Sequence, residues 1–202
     1  MLSPFAKRGD PYMLVVSMTG VKRGDRVVQI GCAHGGRLAA IAGKVGLSGR
    51  AVALVPDEAS ATRARTGAAQ AGVFIEVDVA PLFRLSVEDE AFDLAVVDDT
   101  AGLVGTLRPE DRVALIRELA RVIRPRGRVV FIGRSLRGGL GALLTRAQSG
   151  PPFVASGGAN AALEADGFKS VRTLGEREGL VFVEGINSGQ LSRREHTKRA
   201  QE

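Results

Sequence analysis

At 202 residues, with 45% apolar and 25% charged side chains, the chain is long enough for one sizeable core and too short for two comfortable domains. That balance excludes a disordered or fibrous chain, and no apolar run approaches the roughly 20 residues a bilayer span requires. The net charge of +6 comes mostly from arginines spread along the sequence. Their densest cluster is the tail Arg193, Arg194, Lys198 and Arg199. With Tyr12 the only tyrosine and no tryptophan, a stacking platform for bases is poorly supplied. The charge therefore reads as solvated faces; nucleic acid is allowed by it but indicated by no motif. Cys32 is the lone cysteine, so neither an internal disulfide nor a Cys-rich metal cluster is expected. The N-terminus shows no secretory signal pattern, and cytoplasm is the expected location.

In chain order, short β-rich apolar runs alternate with helical stretches. Asp25 to Ile30 reads as a strand ending in the loop GCAHGG, and Arg37 to Val45 as a helix with Leu38, Ile41 and Val45 on one face. Ala51 to Val55 is a second strand, broken by Pro56. Glu58 to Ala71 favours helix, Val73 to Val79 is a third strand and Phe92 to Val97 a fourth. Pro109 suits the first turn of the next helix, with Glu110 and Asp111 complementing its dipole. Val113, Ile116, Leu119, Ala120 and Ile123 form its expected apolar stripe, and Pro125-Arg126-Gly127 its stop. Arg128 to Ile132 is the fifth strand. Continuous apolar strands of this kind are expected to be buried on both faces, in a parallel sheet with right-handed crossovers.

The rhythm then changes. Leu136 to Pro152 holds a short helical patch, and Gly158 to Asp166 a further helix. Ser170 to Leu174 and Leu180 to Val183 read as two strands joined by GEREG, a connection that suits a hairpin. The predicted fold is thus α/β: a Rossmann-like seven-stranded, mainly parallel sheet with helices on both faces and a C-terminal antiparallel hairpin. Residues 1–186 form one domain in this reading, and residues 187–202 a polar, basic, flexible tail.

In an open parallel sheet, ligands bind beyond the carboxyl ends of the strands, which is where Gly31-Cys32-Ala33-His34-Gly35-Gly36 falls. Glycines there let backbone approach a ligand, or serve a tight turn alone. Asp57 follows the second strand, where a carboxylate could accept hydrogen bonds from ribose hydroxyls. Asp78, with Val79 beside it, lies near the end of the third, where a carboxylate could meet the exocyclic amine of an adenine. Asp98 and Asp99 follow the fourth, and adjacent carboxylates are costly to bury unpaired. Each also reads as a helix cap or turn former.

The segment VKRGDRVVQIGCAHGGRLAAIA resembles motif I of class I S-adenosylmethionine-dependent methyltransferases. AFDLAVVDD is similar to that family's fourth strand, ELARVIRPRGRVVFIG to its fifth-strand region, and LEADGFKSVRTLGEREGLVFVEG to its closing hairpin. The likeness runs over residues 15 to 186. It implies S-adenosylmethionine as cofactor. Gly31 and Gly35, with Cys32 and Ala33 between them, would border its methionine part. Gln29 stands where a carboxylate usually helps hold its amino group, and Asp57, Asp78 and Val79 fall at the adenosine end. Asp98 would face the reacting end.

Three departures stand out: Ala33 replaces the central glycine, Gln29 lacks charge, and Pro56 occupies the usual ribose-binding position. The expected activity is methyl transfer to a small-molecule acceptor, with Asp98 and Asp99 the candidate catalytic residues, His34 a further candidate base, and no metal. Residues 1–20 and 134–168 are left to cover the acceptor. One alternative is a non-catalytic binding protein of the same fold. The other is an NAD(P)-dependent oxidoreductase, since Gly31-x-Ala33-x-x-Gly36 aligns to a dinucleotide fingerprint.

Overall fold

The computed structural model describes residues 11–136 and 152–189. In order they form α1 (Met13–Thr19), β1 (Arg26–Ile30), α2 (Gly35–Val45), β2 (Arg50–Val55), α3 (Glu58–Ala71), β3 (Glu76–Val79) and β4 (Phe92–Asp98). Then come α4 (Pro109–Val122), β5 (Ile123–Arg134), α5 (Gly158–Ala165), β6 (Lys169–Arg177) and β7 (Leu180–Ile186). The helical patch expected in 136–152 and most of the expected tail lie outside the described residues.

The strands make a seven-stranded sheet in the order β3-β2-β1-β4-β5-β7-β6. Strands β1 to β5 are parallel, and β7 runs antiparallel to both β5 and β6, as the sequence led us to expect. Successive residues of a strand point to opposite faces, which sorts the core into two layers. Val28, Ile30, Ala95, Val97, Val129 and Phe131 pack with α4 and α5 on one face. Val27, Leu94, Val96, Val130 and Ile132 pack with α1 and α2 on the other. The order in which strands are added to the sheet reverses between β1 and β4, so the loops leaving these two parallel strands part and open a crevice at their carboxyl ends.

Several elements differ from expectation. The segment 13–19 is a helix, with Val15 buried against Ile41, Val130 and Phe182, so it belongs to the core and not to a cover over an acceptor. Strand β3 starts only at Glu76 and is half exposed, with Asp78 and Val79 open, because it is the edge of the sheet and has one neighbour. Helix α4 buries Leu115, Ile116, Leu119, Ala120 and Val122, leaving Val113 exposed. It ends one residue early because Ile123 already pairs with Phe92 in the sheet. The hairpin connection shrinks to Glu178-Gly179, both at positive φ (52° and 74°), as a tight two-residue turn between twisted strands requires.

Candidate functional site

The crevice is built from the loop after β1. Gly31 lies at φ +76°, and its N–H donates to the Leu54 carbonyl at 2.8 Å. A side chain there would strike Leu103 and crowd the Asp98 carbonyl, so glycine is required both by conformation and by space. Gln29 is fully buried and turns its amide back on the loop, Nε2 donating to the Gly31 carbonyl at 3.0 Å. The Cys32 thiol is buried; burial first, and then the Asp98 charge, push its pKa up to about 11, so it stays an unreactive thiol. Its carbonyl accepts a bond from Arg63 Nε of α3 at 2.9 Å, and the same guanidinium bonds the Ser60 hydroxyl at 2.7 Å. Gly35 opens α2 pressed against α3, where a methyl group would collide with the Arg63 carbonyl and Gly67.

His34 caps α2. Its Nδ1 accepts from the Gly36 N–H at 3.2 Å, so the neutral ring carries its proton on Nε2 and offers a donor rather than a base. Tyr12 tilts against this imidazole, with ring centroids 5.4 Å apart.

Asp98, 2% exposed, ties the two loops together. Its Oδ2 accepts the Ala33 N–H at 3.1 Å, and Oδ1 the Thr100 hydroxyl at 2.6 Å and N–H at 3.3 Å. Arg37 Nη2 reaches both carboxylate oxygens at 3.2 and 3.3 Å and also bonds the Thr100 hydroxyl. Arg37 Nε is buried without a partner among the described residues. A buried carboxylate with this many donors is fully satisfied as an anion. Asp99 faces the other way: its Oδ1 accepts the Val104 N–H at 2.7 Å and shapes the loop that follows. Burial, assisted by the Asp98 charge, pushes its pKa up to about 6.

Along the same sheet edge, Asp57 is exposed and caps α3, with Oδ1 accepting the Ser60 N–H at 2.7 Å. That bond, with the Ser60 hydroxyl, lowers its pKa. Asp78 is exposed at the end of β3 and bonded to the Ser86 hydroxyl. Beyond β4, β5 and the hairpin lies a cleft of about 470 Å³ lined by Ala33, His34, Arg37, Thr100, Arg134 and Glu178, among others. Among the described residues, no group of three or more His, Cys, Asp or Glu side chains is placed to hold a metal ion. No described helix is long and apolar enough to cross a membrane.

A family model described as a methyltransferase domain matches residues 28–131, from within β1 to the middle of β5. The chain belongs to this methyltransferase-domain family. Its fold is similar to that of a SAM-dependent methyltransferase from Aquifex aeolicus, at 19% identity and TM-score 0.68, covering 86% of this chain and 88% of that one. It is also similar to an arsenic(III) S-adenosylmethionine methyltransferase from Chlamydomonas reinhardtii, at 20% identity and TM-score 0.56, covering 83% and 64%. No curated protein matches the sequence.

In this methyltransferase domain the expected residues fall into two groups. Gln29, Gly31, Cys32, Ala33, Gly35 and Asp98 converge at the crevice, while Asp57, Asp78 and Val79 stand further along the edge, beyond β2 and β3. Asp99 adjoins the first group in sequence and points into its own loop. The sequence reading passed over Arg37, Arg63 and Thr100, which hold the crevice together, and Arg134 and Glu178, which line the cleft. Arg37 had a readable signal: it lies one helical turn past the cap, on the side of the helix start that adjoins the β4 loop.

Proposed function

We propose that the chain transfers a methyl group from S-adenosylmethionine to a small-molecule acceptor at the carboxyl edge of β1 and β4. The observation that carries this reading is that the family match runs through the glycine loop and Asp98, the two features that meet at the crevice. The residues present fit the cofactor's adenosine end. Asp57 and Asp78 are exposed carboxylates on the correct edge, with acceptor capacity beyond their bonds to Ser60 and Ser86. At the amino-acid end, Gly31, Ala33 and the Arg37 guanidinium would hold the group. The cofactor supplies a methyl already activated on a sulfonium sulfur.

The protein's own contribution is then alignment and shielding. Asp98, with its oxygens engaged by Ala33, Arg37 and Thr100, fixes the two loops and positions Arg37 rather than taking a proton. Asp99 shapes the loop over the crevice. His34 offers its Nε2–H to the cleft. A cytoplasmic location accompanies this reading, consistent with a single, buried thiol.

A thermal melt tests the reading. S-adenosylhomocysteine should raise the melting temperature by linkage to the folded state, whereas NAD should not. A shift with NAD and none with the thioether would replace methyl transfer by the oxidoreductase reading.

A further inference from the structure

The walls of the cleft differ in what they offer. On the loop side, the Arg37 charge is already matched by Asp98 at 3.2 Å. His34 presents an N–H, since its other ring nitrogen accepts from Gly36. On the far side stands Arg134, at the end of β5 and exposed, with no carboxylate paired to its guanidinium among the described residues. Its place is firmly set. Arg134 is in register with Leu180, and Ser135 N–H donates to the Gly179 carbonyl at 2.9 Å, which locks the strand end against the hairpin turn. Among the described residues, Glu178 on that turn is the one carboxylate lining the cleft, and no ion pair joins it to Arg134.

We propose that this cleft selects an acceptor that carries a carboxylate, held by Arg134 with His34 Nε2–H as a second donor; the proposal rests on the methyltransferase reading. A guanidinium presents parallel N–H donors that match the two oxygens of a planar carboxylate. The charge count favours a monoanion: Arg37 is neutralised by Asp98, leaving Arg134 as the one unpaired cation among the described residues that line the cleft, and Glu178 on the same wall opposes a second negative charge. A cleft of about 470 Å³ is in the range of small-ligand pockets. His34, Ala33 and Arg37 belong to the side of the cleft that would also hold the cofactor, whereas Arg134 and Glu178 stand on the opposite wall, so Arg134 is where acceptor selectivity can be changed apart from cofactor binding.

The test is calorimetry on the full chain saturated with S-adenosylhomocysteine. Small hydroxy acids, aromatic (the three hydroxybenzoates) and aliphatic (3-hydroxybutyrate), are titrated beside their amides. At least one acid should bind tenfold or more tightly than its amide. Arg134→Gln should remove that preference while leaving S-adenosylhomocysteine affinity unchanged, and Arg134→Lys should restore part of it. Acids that bind no better than their amides, or a preference that survives Arg134→Gln, overturn the proposal while the methyltransferase reading stands. Failure of the wild-type chain to bind S-adenosylhomocysteine overturns that reading and this proposal with it.

Discussion

The carboxyl of Asp99 is held under the loop it shapes, 3% exposed, with a pKa near 6 against an ordinary 3.8. A carboxyl whose pKa is raised on folding adds stability that is fully present below pH 3.8 and is lost as pH rises through 6. The shift corresponds to at most about 3 kcal/mol. Asp99→Asn keeps an oxygen for the Val104 N–H and removes the charge. The variant should be more stable than wild type at pH 8 by about 1–3 kcal/mol, with the gap closing by pH 4. Urea unfolding across that range checks this, and parallel curves would contradict it. Glycines give a second comparison. Gly35→Ala drives a methyl group into the Arg63 carbonyl and Gly67 of α3, and should cost about 1–3 kcal/mol. Gly43→Ala lies on the exposed side of the same helix, with its nearest neighbour Val73 at 3.6 Å, and should stabilise by about 0.5–1 kcal/mol. In the proposed site, Ala33 adds a methyl group where the loop backbone would approach the cofactor. Ala33→Gly should tighten S-adenosylmethionine binding about tenfold or more, whereas Gln29→Glu should weaken the loop, since it sets a buried carboxylate against the Gly31 carbonyl that the Gln29 amide now donates to. Unchanged affinity of Ala33→Gly by calorimetry would mean that the loop is built around a different ligand.

Helix α4 passes straight into β5, and Asn187 makes that junction possible. Its Nδ2 donates to the Ala120 carbonyl at 2.9 Å and the Ile123 carbonyl at 2.6 Å, satisfying groups that a helix end leaves open. Its backbone N–H donates to the Gly127 carbonyl at 2.9 Å. Asn187→Ala should cost about 1–3 kcal/mol by leaving buried carbonyls unpaired. Asn187→Asp should be no better at neutral pH, since a carboxylate only accepts. Chemical denaturation of both variants decides it; a rescue by aspartate would contradict the account. Sequence could not reveal this cap, because residues 64 to 67 positions apart meet only once the sheet is assembled. The buried strands were legible because a strand covered on both faces must be apolar throughout. Strand β3 was misjudged because an apolar run carries no mark of an edge position, and α1 was missed because MLVVSMT has no helical stripe.

Across the whole molecule, the order of elements carried more information than any single motif. Alternating strands and helices fixed the parallel sheet, and the short Gly-containing connection fixed the closing hairpin. The candidate site was legible only in part. The glycine loop announces itself in six contiguous residues, Gly31 to Gly36, but the pairing of Arg37 with Asp98 spans 61 positions and belongs to the folded crevice. The same holds for Arg134 and Glu178, brought to one cleft by the antiparallel pairing of β5 and β7. The proposed methyl transfer and acceptor selectivity both depend on an adenosyl sulfonium cofactor being held in this crevice. Side-by-side calorimetric titration of the purified chain with S-adenosylmethionine, S-adenosylhomocysteine and NAD tests it most directly. The account predicts saturable binding of the first two at one site per chain and no heat from NAD. Saturable binding of NAD with none of S-adenosylhomocysteine would contradict it.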